Sequence, residues 1–246
     1  RWRSVETGLI HTYSSDLELL SSTHLPVDER GDSDNTTGGI PNLLHEVRPS
    51  PDGRRWWVPM IHANIQRGEW RNGEPLTHES TVRAVLGEML PEAALLADVD
   101  RKQFDERGRS TVALPSPLGD RLAVLHPSAQ HISVLDGSSL EHLGAIQGAG
   151  HMITAMVFDE TGDRLFTWVW LDRRVDAYDV SAPNRITKLW SVDLSQDDPL
   201  TESQLRGKQI FHDSYDPRIS KANYIACSHC HPAGQHDRQT WDFSDR

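Results

Sequence analysis

The chain has 246 residues, 36 acidic and 25 basic side chains, and a formal net charge of -11. This balance disfavours a nucleic-acid surface, which needs a basic footprint to meet phosphate, and suits a protein that meets a basic partner. Hydrophobic residues make up 37% of the chain, enough for a core, and no apolar run approaches the roughly 20 residues that span a bilayer.

In chain order, residues 5–10 and 17–25 alternate apolar and polar positions and read as short strands. Residues 26–41, PVDERGDSDNTTGGIP, are rich in Gly, Asn and Asp and read as a surface loop. Their carboxylates and amides offer calcium a set of oxygen ligands, although EF-hand spacing is absent. A repeat then begins. Residues 43–48, the turn Ser50-Pro51-Asp52-Gly53 and residues 54–59 read as strand, tight turn, strand, because Asp-Gly supplies a position where positive φ is cheap. The design returns at 111–125 around Ser116-Pro117-Leu118-Gly119, and at 153–169 around Asp159-Glu160-Thr161-Gly162. Second hairpins follow these two copies, over 131–146 and 174–190.

The SPLG and DETG turns lie 43 residues apart, as do the ISVLD and VDAYD strands. Four short strands in a period of about 40–45 residues is the pattern of a β-propeller blade. A β-sandwich with coincidental hairpins is the alternative. The step from SPDG to SPLG is 66 residues, so an insertion is expected at 61–108. Within it, 80–87 reads as a strand entering a turn, and 91–105 as a short helix with Pro91 at its start. The blade count leaves the ring short, and further blades are expected from an additional segment or subunit.

From residue 194 the texture changes. Residues 194–200 read as a linker and 201–212 as a helix, capped by Thr201, with Glu202 in its first turn. Leu205, Ile210 and Phe211 share one side of it. Gly207 leaves room for close approach to another surface, and His212 faces the negative end of the helix dipole. Residues 213–223 are turn-rich.

The chain then reaches Cys227-Ser228-His229-Cys230-His231, the pattern C-x-x-C-H that usually attaches a c-type haem. Cys227 and Cys230 would form thioethers with the porphyrin vinyl groups, and His231 would be the proximal ligand to iron. These are the two cysteines of the chain. A thioredoxin-like pair and a zinc site completed by His229 or His236 are the competing readings. Covalent haem implies attachment after export, so an extracytoplasmic, periplasmic location with the signal peptide removed is expected. Phe211, Tyr224 and Ile225 are expected to wall the haem, Trp241 and Phe243 to pack its edge, and Arg218 or Lys208 to pair with its propionates. His229 is expected to meet a propionate or solvent, and His236 to make a nearby hydrogen bond. Met60, Met89, Met152 and Met156 read as core fillers rather than distal ligands.

The carboxyl-terminal segment resembles the first cytochrome domain of the bacterial di-haem peroxidase and MauG-like group. The resemblance rests on Arg206-Gly207-Lys208-Gln209-Ile210-Phe211, Asp216-Pro217-Arg218-Ile219-Ser220 and the CxxCH, three elements in the group's order. Pro232-Ala233-Gly234 and Thr240-Trp241-Asp242-Phe243 resemble the subset joined to a propeller with YVTN-type repeats; Leu122-Ala123-Val124-Leu125 and Phe166-Thr167-Trp168-Val169 are similar to degenerate copies of that repeat. Arg67-Gly68 and residues 78–85 also look like segments of the subset. The resemblance implies a periplasmic redox protein, peroxidase-like or an oxidase, with two haems in its full form. This sequence carries one CxxCH, followed by fifteen residues.

The expected organisation is therefore all-β. Propeller blades occupy 1–193, with the insertion at 61–108. A linker at 194–200 leads to the amino-terminal part of a c-type cytochrome domain, partial and mostly helical, at 201–246. The expected function is haem redox chemistry with a partner or substrate positioned by the propeller. The alternatives are a non-catalytic scaffold whose haem only transfers electrons within a larger complex, and a plain propeller with a non-haem CxxC. No transmembrane segment is expected.

Overall fold

A computed structural model describes residues 8–90, 95–96, 102–194, 200–237 and 239–244. Two of its sheets have the same plan. In the first, β9 (Val112–Pro115), β10 (Arg121–His126), β11 (His131–Asp136) and β12 (His142–Gln147) are antiparallel neighbours in sequence order. In the second, β13 (Ile153–Phe158), β14 (Arg164–Val169), β15 (Arg174–Asp179) and β16 (Thr187–Asp193) repeat it. The tight turns are built alike. Gly119 and Gly162 sit at φ 73° and 79°, where a Cβ would be strained. Each glycine N–H returns to the carbonyl three residues back, on Ser116 and Asp159.

The preceding sheet is longer. Here β3 (Ile40–Asn42) and β4 (Arg48–Pro49) both pair with β5 (Trp56–Ala63), and β5 pairs along its whole length with β6 (Val82–Leu90). Residues 43–47, expected as strand, are not: Leu43 takes φ 45°, which splits the expected strand into β3 and β4. The expected helix over 91–105 is also corrected. β7 (Leu95–Leu96) and β8 (Lys102–Phe104) are short strands on the edge of β6; 91–94 and 97–101 lie outside the described residues. The described residues there, 95–96 and 102–104, pair instead with the edge of a long strand. Between β5 and β6 the chain makes a loop at 64–77 and one helical turn, α1 (His78–Thr81), capped by Thr77. At the start of the described chain, β1 (Leu9–Tyr13) and β2 (Leu19–His24) form a separate hairpin.

The sheets stack face to face in series. Ile10 and Leu25, from and just after the hairpin, close over Val58, Met60, Val85 and Met89 of β5 and β6. Trp57, Leu86 and Phe104 meet Leu122, Val124 and Leu135 of the next sheet. Leu125, Ile132 and Ile146 on its other face meet Ile153, Leu165 and Val169 of the last sheet. Met152 and Met156 are buried there too, as expected of fillers.

Beyond the sheets lie α2 (Glu202–His212), a short turn at Lys221–Asn223, α3 (Cys227–Cys230) and a turn at Pro232–Gly234. Thr201 caps α2 reciprocally with Gln204. Gly207 faces open space rather than a close surface, which corrects the expectation drawn from it. Among the described residues, no helix is long and apolar enough to cross a membrane.

Candidate functional site at residues 227–231

The attachment pattern forms one helical turn. Cys227 and Cys230, three apart, fall on one side of α3, and the His231 N–H closes the turn on the Cys227 carbonyl at 3.0 Å. Cys227 and His231 are exposed and Cys230 is half-buried. Both thiols are free. Burial, then Asp237 and Cys227, push the Cys230 thiol up to about 11. That is the opposite of the lowered value an exchange-active thiolate needs. Among the described residues, no group of three or more His, Cys, Asp or Glu is placed to hold a metal ion, at the cysteines or in the acidic 26–41 loop. In that loop Asp28 pairs with Arg30, and Asp32 with Arg67.

The turn is held from beneath by the sheets. His229, expected toward a propionate or solvent, is buried at their surface. Its Nδ1 accepts the Ala226 N–H at 2.7 Å, so Nε2 carries the proton toward Ser128 Oγ at 3.3 Å. Burial, and then Arg109, push His229 down to about 3. Ser128 also accepts the Ser214 N–H on its carbonyl at 2.8 Å, so one residue grips the segment twice. Gly108 lies directly below. At φ 67°, a Cβ there would stand 2.8 Å from Ser128 Oγ and 3.3 Å from the Asn223 carbonyl.

Tyr224, expected to wall the haem, is turned into the sheets. Its ring stands edge-on to His78, 5.6 Å between centroids. Its hydroxyl accepts from Arg83 Nη1 at 2.8 Å and donates to Asp105. Burial and that carboxylate raise the Tyr224 pKa well above the usual phenol range. Arg83 is 1% exposed and lies 3.2 Å from Asp105. Trp241 packs with Ile225 against Ile61, Ala63 and Val82, donates Nε1–H to Asp237 at 2.9 Å, and stacks on Phe243 at 6.2 Å. Asp242 and the Thr240 carbonyl accept from the Trp70 N–H and from Arg71 in the 64–77 loop.

The other expected residues are spread along the segment. Phe211 is half-buried, edge-on to His212 at 5.1 Å. Burial, Arg109 and Lys208 push His212 down, so desolvation outweighs the dipole at the helix end. Arg218 is bound to Asp216, with Nε at 2.9 Å. Lys208 lies 4.1 Å over the Trp170 ring, while Gln209 reaches Asp172 at 3.1 Å and docks α2. Of the expected set, Cys227, Cys230 and His231 are brought together. Ser128, Gly108, Arg83 and Asp105 were not found from sequence. Arg83 alone left a signal, as a charge inside the apolar run of β6.

The gripping groups share one end of the sheets. The loops at 64–77, 127–130 and 170–173 follow second strands, and those at 105–111 and 148–152 follow fourth strands; antiparallel alternation puts all of these at the same end. An apolar crevice between this end and the segment, lined by Leu43, Ile65, Val82 and Trp241, has room for about 40 Å³. That is the scale of one or two waters. On the outer side, two free thiols and an imidazole share one turn in contact with solvent. This donor set fits thioether attachment there. Ile210, Tyr215, Ile219 and Phe243 of the same segment also stand in solvent.

No protein-family model and no curated protein sequence matches the chain. Among solved structures, the chain is similar to a periplasmic gluconolactonase from Pseudomonas aeruginosa, with 15% identity, TM-score 0.50, and coverage of 78% of this chain and 51% of that one. It is also similar to candidate 6-phosphogluconolactonases from Bacteroides uniformis and Bacteroides fragilis, with 14% and 12% identity and TM-score 0.51 for each. These alignments cover 79% and 80% of this chain and 54% and 55% of those. The chain therefore spans about half the length of the structures it matches. At these identities the likeness concerns architecture alone: four-stranded antiparallel sheets stacked as blades, in a β-propeller-like, sheet-dominated fold.

Proposed function

We propose that the chain is a c-type haem redox protein of an extracytoplasmic compartment, in which propeller-like blades hold the attachment turn and present it to a redox partner. The observation that carries this reading is the division of the 224–231 stretch. Tyr224 and His229 are locked inward, while Cys227 and His231 are left at the surface with free thiols beside them. Cys227 and Cys230 would hold the haem and His231 would ligate its iron; the group supplies a one-electron ferric–ferrous couple. The chain's own residues fix the turn and hold its inner side against the sheets through His229. The resemblance of the 206–243 motifs to the peroxidase and MauG-like group supports this reading; in such a protein a second haem and the rest of the haem pocket would come from a further segment or subunit. The scaffold reading, in which the haem only relays electrons, differs in what the open side of the iron meets.

The test is export of the chain in a host that attaches c-type haem. One covalent haem by intact mass, retained after acid–acetone extraction and lost in Cys227→Ser and Cys230→Ser, is the expected result. Exported, folded protein with no added mass and no Soret band would remove the reading. Peroxide turnover with a high-spin ferric spectrum marks an enzyme; a low-spin, ligand-inert haem marks a relay.

A further inference from the structure

Arg109 differs from the other arginines drawn into the fold. Arg67, Arg83, Arg121 and Arg174 each reach a carboxylate, at 2.8, 3.2, 3.2 and 2.7 Å. Arg109 has no carboxylate partner among the described residues: burial alone acts on it, and pushes it down. Its Nε is sealed from solvent without a hydrogen bond, although the residue as a whole is only half-buried. A guanidinium taken out of water without a counter-charge is costly. The chain has 36 acidic side chains and brings none to this place.

The neighbours do not offset the charge. His45, His212 and His229 are pushed down, by burial first and by Arg109 second, so each ring is neutral at pH 7. Asp213 follows His212 in the chain, yet its carboxylate is engaged elsewhere. It accepts from Gln130 Nε2 at 3.3 Å and from the Tyr215 N–H at 2.8 Å, and it faces His151.

Unpaired polarity is concentrated around this arginine. Nine side-chain atoms among the described residues are buried without a hydrogen bond, and four of them are Arg109 Nε, His212 Nδ1, Ser214 Oγ and Ser228 Oγ. Ser128 draws their residues together. Its carbonyl takes the Ser214 N–H, and its hydroxyl meets His229, the neighbour of Ser228. Gly108, the neighbour of Arg109, lies against the same hydroxyl. His212 stands two residues before Ser214. Buried polar groups are rarely left unpaired. Water serves a hydroxyl or an imidazole, but it does not neutralise a guanidinium.

We infer that Arg109 anchors an oxyanion-binding site beneath the cysteine turn, which takes a carboxylate or phosphate group with Ser214, Ser228 and His212 as further donors. The planar guanidinium matches two oxygens at once, and the hydroxyls and the imidazole add hydrogen bonds without adding charge. Lys208, whose charge also reaches His212, strengthens the positive field. Two sources carry this chemistry: a free oxyanion, and a carboxylate of attached haem.

The test is the unfolding midpoint of the haem-free chain, made with Cys227→Ser and Cys230→Ser, in sodium phosphate, sodium acetate and sodium chloride at one ionic strength. Phosphate or acetate should raise the midpoint by about 2–4 °C over chloride, and Arg109→Gln should abolish the rise. In chloride, Arg109→Gln should be no less stable than its parent, because an unopposed charge has gone. Broadening of the phosphate line in phosphorus NMR, reversed by acetate, reads binding without unfolding and without the variant. An equal rise in Arg109→Gln, or neither rise nor broadening, would overturn the inference and leave water as the partner of these groups. A rise that disappears once haem is attached to the wild-type chain would assign the site to a haem carboxylate; a rise kept in both forms would assign it to a free oxyanion. The haem-free measurement stands whether or not haem attaches.

Discussion

The last blade and the segment that follows it touch each other and are held in different ways. The blade buries Ile153, Leu165 and Val169 completely. In the segment, no residue of α2 is buried, and the buried residues among those described are Asp213, Ser214, Ser220, Tyr224, Ala226, Ser228 and His229. Apolar burial is non-directional and scales with area, so a blade tolerates any neighbour of the right shape. Hydrogen bonds to Ser128, Gln130, Arg83 and Asp172 are directional, so the segment takes both its place and its orientation from particular groups. Stability and orientation are therefore divided between the two regions.

The largest test of this division is Leu165→Ala, which opens a cavity in the blade core. It should cost about 2–5 kcal/mol, read as a lower denaturant midpoint for the whole chain. An unchanged midpoint would show that Leu165 is not part of the core that joins the last two sheets. Next is Arg83→Met, which takes the guanidinium from Tyr224 and Asp105. It should loosen docking by about 1–3 kcal/mol, so that limited proteolysis releases the segment while the blades persist. Equal protection of segment and wild type would show that Tyr224 is not held through Arg83.

A third test uses pH. Burial pushes His131, in the blade core, down to about 3. Its folded pKa is below the unfolded one, so the contribution is complete above about 6.5 and declines as pH falls toward 3. The slope from this group is at most about 1.4 kcal/mol per pH unit. His131→Gln should flatten the stability profile between pH 6.5 and 5; an unchanged slope would mean that the imidazole is not held neutral. The smallest expected effect is Arg218→Ala. The Arg218 side chain of the ion pair with Asp216 is 79% exposed, where such pairs contribute little, and the unfolding midpoint should barely move. A clear loss would show that the segment depends on this surface pair.

The blades were readable because their signals are local. The 43-residue repeat marks β10, β11, β14 and β15, and each tight turn carries its own glycine at 119 or 162. β7 and β8 were not readable, because what makes them strands is their pairing with the edge of β6 rather than a local pattern. The cysteine turn was readable as a motif, yet the direction of its side chains was not. His229 turns inward because of Ser128, 101 positions earlier, and Tyr224 because of Arg83, 141 positions earlier. No window of sequence around either residue contains its partner.

Those separations also bear on synthesis. A chain that emerges amino end first finishes Arg83, Gly108 and Ser128 well before Tyr224 and His229 exist. The receiving surface can be assembled while the last stretch is still being made. That stretch then needs no nucleus of its own: it settles onto a finished template, with Cys227 still on the open side once it has done so.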